Sequence, residues 1–334
     1  MSWKDLKQKS LADGLLVQHA ALTELDDVDQ MIDWHRIEGL LVGIQNKPHG
    51  QQPWPPLMMF KALLLQSWYA LSDPALEKQL ARDLLFRRFV GLSIAAAVPD
   101  HSTLCRFRNH PEVVKLQAQF LNEIQQRLSE KGWYIKSGTI SIVDASVIKA
   151  QRNRPNKDAA GNSTQDPEAG YSIKAGSDGK VKMTYGYKAH INVDEDGFIV
   201  ASDFSVGNVH DSQCFSAVLS GDETAVYADS AYAYASAATT QRLKCRGIKN
   251  GVLERAYRNK PLSKAQKANN KIKSRIRSTV ERVFGVLKLH YGMAPARYLG
   301  KARNKMRFAL MSVAYNIKRG VFLKRELFLQ ESYV

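Results

Sequence analysis

The spacing of apolar residues changes once along this 334-residue chain, at Ser137, and that change restricts the folds open to it. Upstream, Leu57, Phe60, Leu64 and Trp68 recur every three or four residues, as do Leu76, Leu80, Leu84 and Leu85, which is the period of helices with a buried stripe. Downstream, residues 139–144 read Thr-Ile-Ser-Ile-Val-Asp, a β-strand that ends in a carboxylate. The expected organisation is an all-α region over 1–134, an α/β domain over 135–320 and a C-terminal tail over 321–334. Within the helical region, Asp73-Pro74 opens one helix, and residues 99–104 form a capped start for another that carries Arg106, Arg108 and Asn109. That second helix is either a helix-turn-helix reader of DNA or an N-capped structural helix with surface arginines.

The second half can be parsed element by element. Residues 151–182 are rich in Asn, Gly, Ser, Asp and Lys with almost no large apolar side chain, and are expected to be a flexible loop or insertion outside the core. Two strand patterns, 185–193 and from 198 onward, flank the turn Asp194-Glu195-Asp196-Gly197 as a hairpin. A capped helix is expected over 211–219, a short buried strand over 224–229 that again ends in a carboxylate, a helix over 235–245 and a strand over 248–253. From Ser263 the chain is basic and helical, including 274–289.

Strand, strand, strand, helix, strand, helix, strand, helix, with acids closing the first and fourth strands, is the order of a ribonuclease-H-like fold. It is a mixed sheet flanked by helices. If the first and fourth strands are neighbours, Asp144 and Asp229 meet at one edge of the sheet, where a ligand crevice is expected. A third carboxylate on a later helix would complete a metal cage, and Glu281 qualifies. At 100° per residue, positions 277, 281 and 288 fall within roughly 60° on one helical face, so Arg277, Glu281 and Lys288 share a stripe.

Charge points to the partner. The net charge is +16, and residues 241–334 hold 24 Lys and Arg against 4 Asp and Glu, whereas residues 1–240 hold 24 against 28. Such segregation suits a polyanion, because lysines and arginines that neutralise phosphates release condensed counterions. Breaking a phosphodiester requires in-line attack, and two Mg²⁺ roughly 3.5–4 Å apart activate the nucleophile and stabilise the leaving oxygen. Hard carboxylate oxygens suit Mg²⁺, with Mn²⁺ as a substitute. Residues 201–240 contain five acids and no Lys or Arg, which leaves Asp229 without a sequence-local cation. Asp211 and Asp203 compete with it for the second position, although Asp211 is also explained as a helix N-cap. His190 and His210 are candidates for proton transfer or phosphate contact.

Other classes are disfavoured. No run approaches the roughly 18 apolar residues of a membrane span, and Met1-Ser2-Trp3-Lys4-Asp5 is a poor signal-peptide start. A cytoplasmic, nucleoid-associated protein is expected. Cys105, Cys214 and Cys245 stand too far apart in sequence for a zinc motif or a disulfide framework.

Several motifs resemble the DDE transposases of bacterial insertion sequences, specifically the insertion-sequence-five type. They are Val143-Asp144-Ala145-Ser146, Gly207-Asn208-Val209-His210-Asp211-Ser212, Ala228-Asp229-Ser230-Ala231-Tyr232, and the spacing Arg-x3-Glu-x6-Lys at Arg277, Glu281 and Lys288. Pro53-Trp54-Pro55-Pro56-Leu57 followed by Lys61-Ala62-Leu63-Leu64-Leu65 also looks like that family's helical leader. The resemblance implies that Asp144, Asp229 and Glu281 are the catalytic, metal-binding triad, with Asp144 bridging two ions. It implies an enzyme that cuts the terminal inverted repeats of an element and joins the freed 3′-hydroxyls to double-stranded target DNA, acting as a homodimer or larger assembly. Arg277, Lys288, Arg282, Lys273, Arg106 and Arg108 are the expected DNA or phosphate contacts, with Asp211 and His210 as accessory groups. One departure is Ser274, where the broader signature places a tyrosine. A nuclease of the same fold that never joins, or an inactive DNA-binding descendant, stays open as an alternative.

Overall fold

The computed structural model describes residues 3–6, 10–15, 19–44, 52–132, 139–152, 156–161, 164–175, 180–234, 241, 243–256 and 260–331. The chain divides into two compact units, Met1–Tyr134 with Leu310–Val334, and Ile135–Ala309.

The first unit is helical, as the apolar period requires. It contains α1 (Asp26–Met31), α2 (Trp34–Leu41), α3 (Pro56–Trp68), α4 (Asp73–Arg82), α5 (Leu84–Val90), α6 (His101–Arg108), α7 (Pro111–Lys115) and α8 (Gln117–Glu130). Helix α3 is apolar on every side and buries residues from Met58 to Trp68 almost without interruption, so it is the core about which the others pack. Side chains of Ser72, Asp83 and Asp100 cap α4, α5 and α6, and Gly91, at φ 81°, closes α5 in the left-handed conformation that glycine adopts without strain. The last helix, α10 (Lys301–Glu331), runs on through the expected tail. Its part beyond Leu310 belongs to this unit, where the Trp68 indole donates to the Ala314 carbonyl at 2.8 Å.

Arg108 does not fit the DNA-reading role expected of it. Its guanidinium is 0% exposed and donates to both carboxylate oxygens of Asp73, at 2.7 and 2.8 Å, and to Gln66 at 3.1 Å. It is the buried tie between α6 and α4. Leu104, also 0% exposed, lies one helical turn before it, so residue 108 falls on the core face of α6.

The second unit is built on a mixed sheet in the order β2-β3-β1-β5-β6, with β4 on the free side of β3. The strands are β1 (Ile140–Lys149), β2 (Gly170–Ala175), β3 (Val181–Val193), β4 (Ile199–Val206), β5 (Ala225–Ala228) and β6 (Lys249–Asn250). The β3–β4 turn is the expected hairpin. Gly197 takes φ 81°, and the Phe198 N–H donates to the Asp194 side chain at 2.8 Å. β1 pairs antiparallel with β3 and parallel with β5, so the first and fourth expected strands are neighbours. Helix α9 (Lys264–Leu289) starts in a capping box between Ser263 and Gln266 and packs Val280, Val283, Phe284 and Leu287 against the sheet.

Several expectations change. The first strand does not end at Asp144 but runs on to Lys149 against β3, and the strand expected over 248–253 is only Lys249–Asn250. The tract 151–182 is not wholly loop: Gly170–Ala175 forms β2, and β3 begins at Val181. β2 pairs with one neighbour only and exposes Ile173, so it needs no apolar run. Over 211–219 there are two 3₁₀ turns, Asp211–Gln213 and Phe215–Ala217, and the capping side chain is His210 rather than Asp211. The helix expected over 235–245 falls mostly outside the described residues. No helix among the described residues is long and apolar enough to cross a membrane.

Candidate active site

A small apolar core fixes the two aspartates. Val143, Val226, Ala228, Phe215, Tyr232, Leu243 and Ile248 pack together, locking β1 against β5 in a register that runs from Ile140 opposite Ala225 to Val143 opposite Ala228. Asp144 and Asp229 each stand one residue past that last pair. The β5 ladder therefore ends where the carboxylates begin, and the sheet opens there. Asp144 Oδ1 accepts the Ala145 N–H at 2.9 Å, and Asp229 Oδ1 accepts the Ser230 N–H at 2.6 Å. β6 extends the same support, since Gly251 and Leu253 donate their N–H groups to the carbonyls of Val226 and Ala228.

Helix α9 brings the third acid. Glu281 is exposed, and it lines a cleft of about 450 Å³ together with Asp144 and Lys288. Arg277, 7% exposed, sits at the buried edge of the same stripe with Nη2 3.4 Å from Asp144 Oδ2. The stripe is thus divided: Arg277 neutralises Asp144, while Glu281 and Lys288 face the opening. Asp229 is half-buried beside this cleft's β1 wall by register but is not part of its lining.

Donor chemistry and closure differ as tests of a metal site. Three carboxylates from β1, the end of β5 and α9 form an all-oxygen set of the kind hard divalent cations take. Among the described residues, however, no three His, Cys, Asp or Glu side chains gather closely enough to hold a metal ion, and the positive charge beside Asp144 is that of Arg277. The residues fit a hard divalent cation in donor kind, while the described side chains do not close around one.

The competing carboxylates are already committed. Asp211 pairs at 2.8 Å with Lys188, which is 8% exposed and also donates to the Val209 carbonyl, and Asp203 pairs with Lys305 at 2.8 Å. Asp229 has no ion pair among the described residues. His190 is 0% exposed and bonded to Ser205 at 2.7 Å; burial lowers its pKa to about 4, so it is neutral at pH 7. His210 caps the turn at Asp211 by accepting the Ser212 N–H.

The basic residues divide as well. Lys273 is not a free phosphate ligand, because Nζ donates to the Val252 carbonyl at 2.9 Å and lies 3.9 Å from Glu254. Arg106 and Arg282 are exposed, each bonded to the threonine three residues before it. Sequence reasoning missed Lys149, Ser172, Lys182 and Thr184, which line the cleft. The alternation of Lys182, Thr184 and Gly186 in a strand is the signal that would have found two of them.

Comparison with known proteins identifies the family. A family model described as Transposase DDE domain matches residues 135–317, more than half of the chain, and another, Transposase domain (DUF772), matches residues 16–110. Among solved structures the chain is similar to the "Crystal structure of the Mos1 Strand Transfer Complex", at 12% identity over 86% of this chain and 83% of that one, TM-score 0.19. It is also similar to the "Mos1 transposase paired-end complex with left transposon end", at 11% identity over 86% and 84%, TM-score 0.19. Likeness at such scores has no bearing on the sheet. By the extent of the family match, this chain belongs to the DDE transposases, enzymes of metal-dependent DNA cleavage and strand transfer.

Proposed function

We propose that the protein is the transposase of a bacterial insertion sequence, of the insertion-sequence-five type, and that Asp144, Asp229 and Glu281 are its catalytic carboxylates. The carrying observation is the placement of Asp144 and Asp229 one residue past the last β1–β5 pair, with Glu281 in the cleft that Asp144 lines. These three side chains would hold divalent metal, Mg²⁺ in the cell, which when bound activates the attacking oxygen and stabilises the leaving one. Arg277 orients the Asp144 carboxylate, and Lys288 offsets phosphate charge in the cleft.

The substrates are the element's terminal inverted repeats and a target duplex. Water attacks phosphorus at the element end, breaking the bond to O3′ and leaving a 3′-hydroxyl. That hydroxyl then attacks a target phosphodiester and displaces a target 3′-oxygen. Handling two ends calls for a dimer or larger assembly, and the setting is the cytoplasm, at the nucleoid.

The test is a joining assay with labelled element-end DNA, supercoiled target and Mg²⁺. Joined products are expected. Cleavage without joining would indicate the nuclease, and tight binding with neither would indicate an inactive descendant.

A further inference from the structure

The wall of the cleft opposite α9 is a two-stranded ribbon with two chemically different faces. β1 pairs with β3 only as far as Gly186, with one further bond from the Ala150 N–H to the Tyr185 carbonyl, and β4 only as far as Tyr187, so residues 181–184 of β3 pair with β2 alone. Side chains alternate across such a ribbon. One side carries exposed Lys182 with Ser172 and Thr184, 5% and 8% exposed, at its base, all three lining the cleft of Asp144 and Glu281. The other presents Ile173, Val181 and Met183, exposed to 63%, 62% and 54%.

The base of the ribbon is held in place. Tyr185 and Tyr187 donate their hydroxyls to Asp166, at 2.9 Å to its carbonyl and 2.5 Å to its carboxylate, and the same carboxylate accepts the Gly300 N–H at 2.9 Å. A Cβ on Gly186 would strike the Ile148 carbonyl oxygen, so only glycine lets β1 and β3 close together there. These contacts aim the polar side at the carboxylates.

Charge completes the case. Lys149, at the end of β1, lines the same cleft, and among the described residues neither its ammonium nor that of Lys182 makes an ion pair or hydrogen bond. With Lys288, three lysines thus border a cleft holding two acids. A two-stranded β-ribbon is also a shape that duplex DNA admits along its major groove.

We propose that the β2–β3 ribbon is a DNA-binding arm whose cleft-side Lys182, together with Lys149, grips the phosphate backbone of the strand lying at Asp144 and Glu281. The inference rests on the active-site reading above for which strand is held. Its test is independent of chemistry.

Binding of labelled element-end duplex is measured in EDTA across a salt series for wild type, Lys182→Gln, Lys149→Gln/Lys182→Gln, and Ile173→Thr/Met183→Thr on the opposite side. Each lost phosphate contact lowers the slope of log K against log salt by about 0.9, so the double lysine variant should be shallower by about 1.8. Near 0.1 M salt that corresponds to a loss of about eightfold in affinity per lysine. Lys182→Gln alone should show half the slope change, and the opposite-side pair none. A wild-type slope in both lysine variants, or an equal change in the opposite-side pair, overturns the arm. If wild type binds but neither cleaves nor joins with Mg²⁺, the active-site reading fails while the slopes still decide the arm.

Discussion

Arg108→Met separates a reader of DNA from a structural tie. The wild-type guanidinium is 0% exposed and bonded to both oxygens of Asp73, whose side chain is 11% exposed. Methionine fills much of the same volume but takes away both guanidinium bonds of the Asp73 carboxylate, while Gln66 still donates to it at 2.6 Å. Breaking one side of a buried ion pair costs about 3–5 kcal/mol, because the surviving charge stays desolvated. For a unit of this size that corresponds to a fall of roughly 10 °C or more in Tm. Arg106→Ala removes an exposed side chain bonded only to Thr103 and should change stability by less than about 0.5 kcal/mol. Calorimetry and urea midpoints read the stability, and a salt series on element-end DNA reads the contact. The reasoning is refuted if Arg108→Met keeps the wild-type midpoint and instead weakens DNA binding.

Two buried groups make stability depend on pH in opposite directions. His190 titrates near 4 in the fold, below its ordinary 6.5, so its neutral form supports the fold above 6.5 and that support is lost as pH falls toward 4, by about 3 kcal/mol. Burial raises Asp194 from 3.8 to about 7, so its contribution is present below 3.8 and disappears as pH rises to 7. Asp194→Asn should therefore raise Tm at pH 8 and leave it nearly unchanged at pH 3.5; a lower Tm at pH 8 would contradict the assignment. Asp211→Asn should retain joining but melt earlier, because Lys188, 8% exposed, loses its ion-pair partner. Loss of joining at wild-type stability would show that Asp211 acts in catalysis.

The neighbouring of β1 and β5 was legible because apolar runs that stop at a carboxylate carry their own punctuation. Val143-Asp144 and Ala228-Asp229 mark both the apolar register and the place where β1 and β5 stop pairing, although β1 itself runs on to Lys149 against β3. Helical spacing put Arg277, Glu281 and Lys288 on one stripe, and Glu281 and Lys288 do line one cleft. β2 was not, since an edge ribbon exposed on one side needs no apolar run and its composition reads as linker. Arg108 and Lys273 were misjudged for a related reason: composition gives charge, while a buried acceptor such as Asp73 or the Val252 carbonyl is a tertiary partner. For Arg108 a clue was present, because it shares a helical face with Leu104. Arg277 is intermediate, correctly placed on the Glu281 stripe but turned toward Asp144 rather than into the cleft.

The central claim is that Asp144, Asp229 and Glu281 act as one unit, and single-turnover joining tests it most directly. Asp144→Asn, Asp229→Asn and Glu281→Gln would be assayed beside wild type with Mg²⁺, after confirming that each binds element-end DNA. The account predicts that every one of the three loses joined product by at least about a thousandfold, with pairs no worse than singles, as expected when groups act together. Wild-type joining by any of the three variants would contradict it.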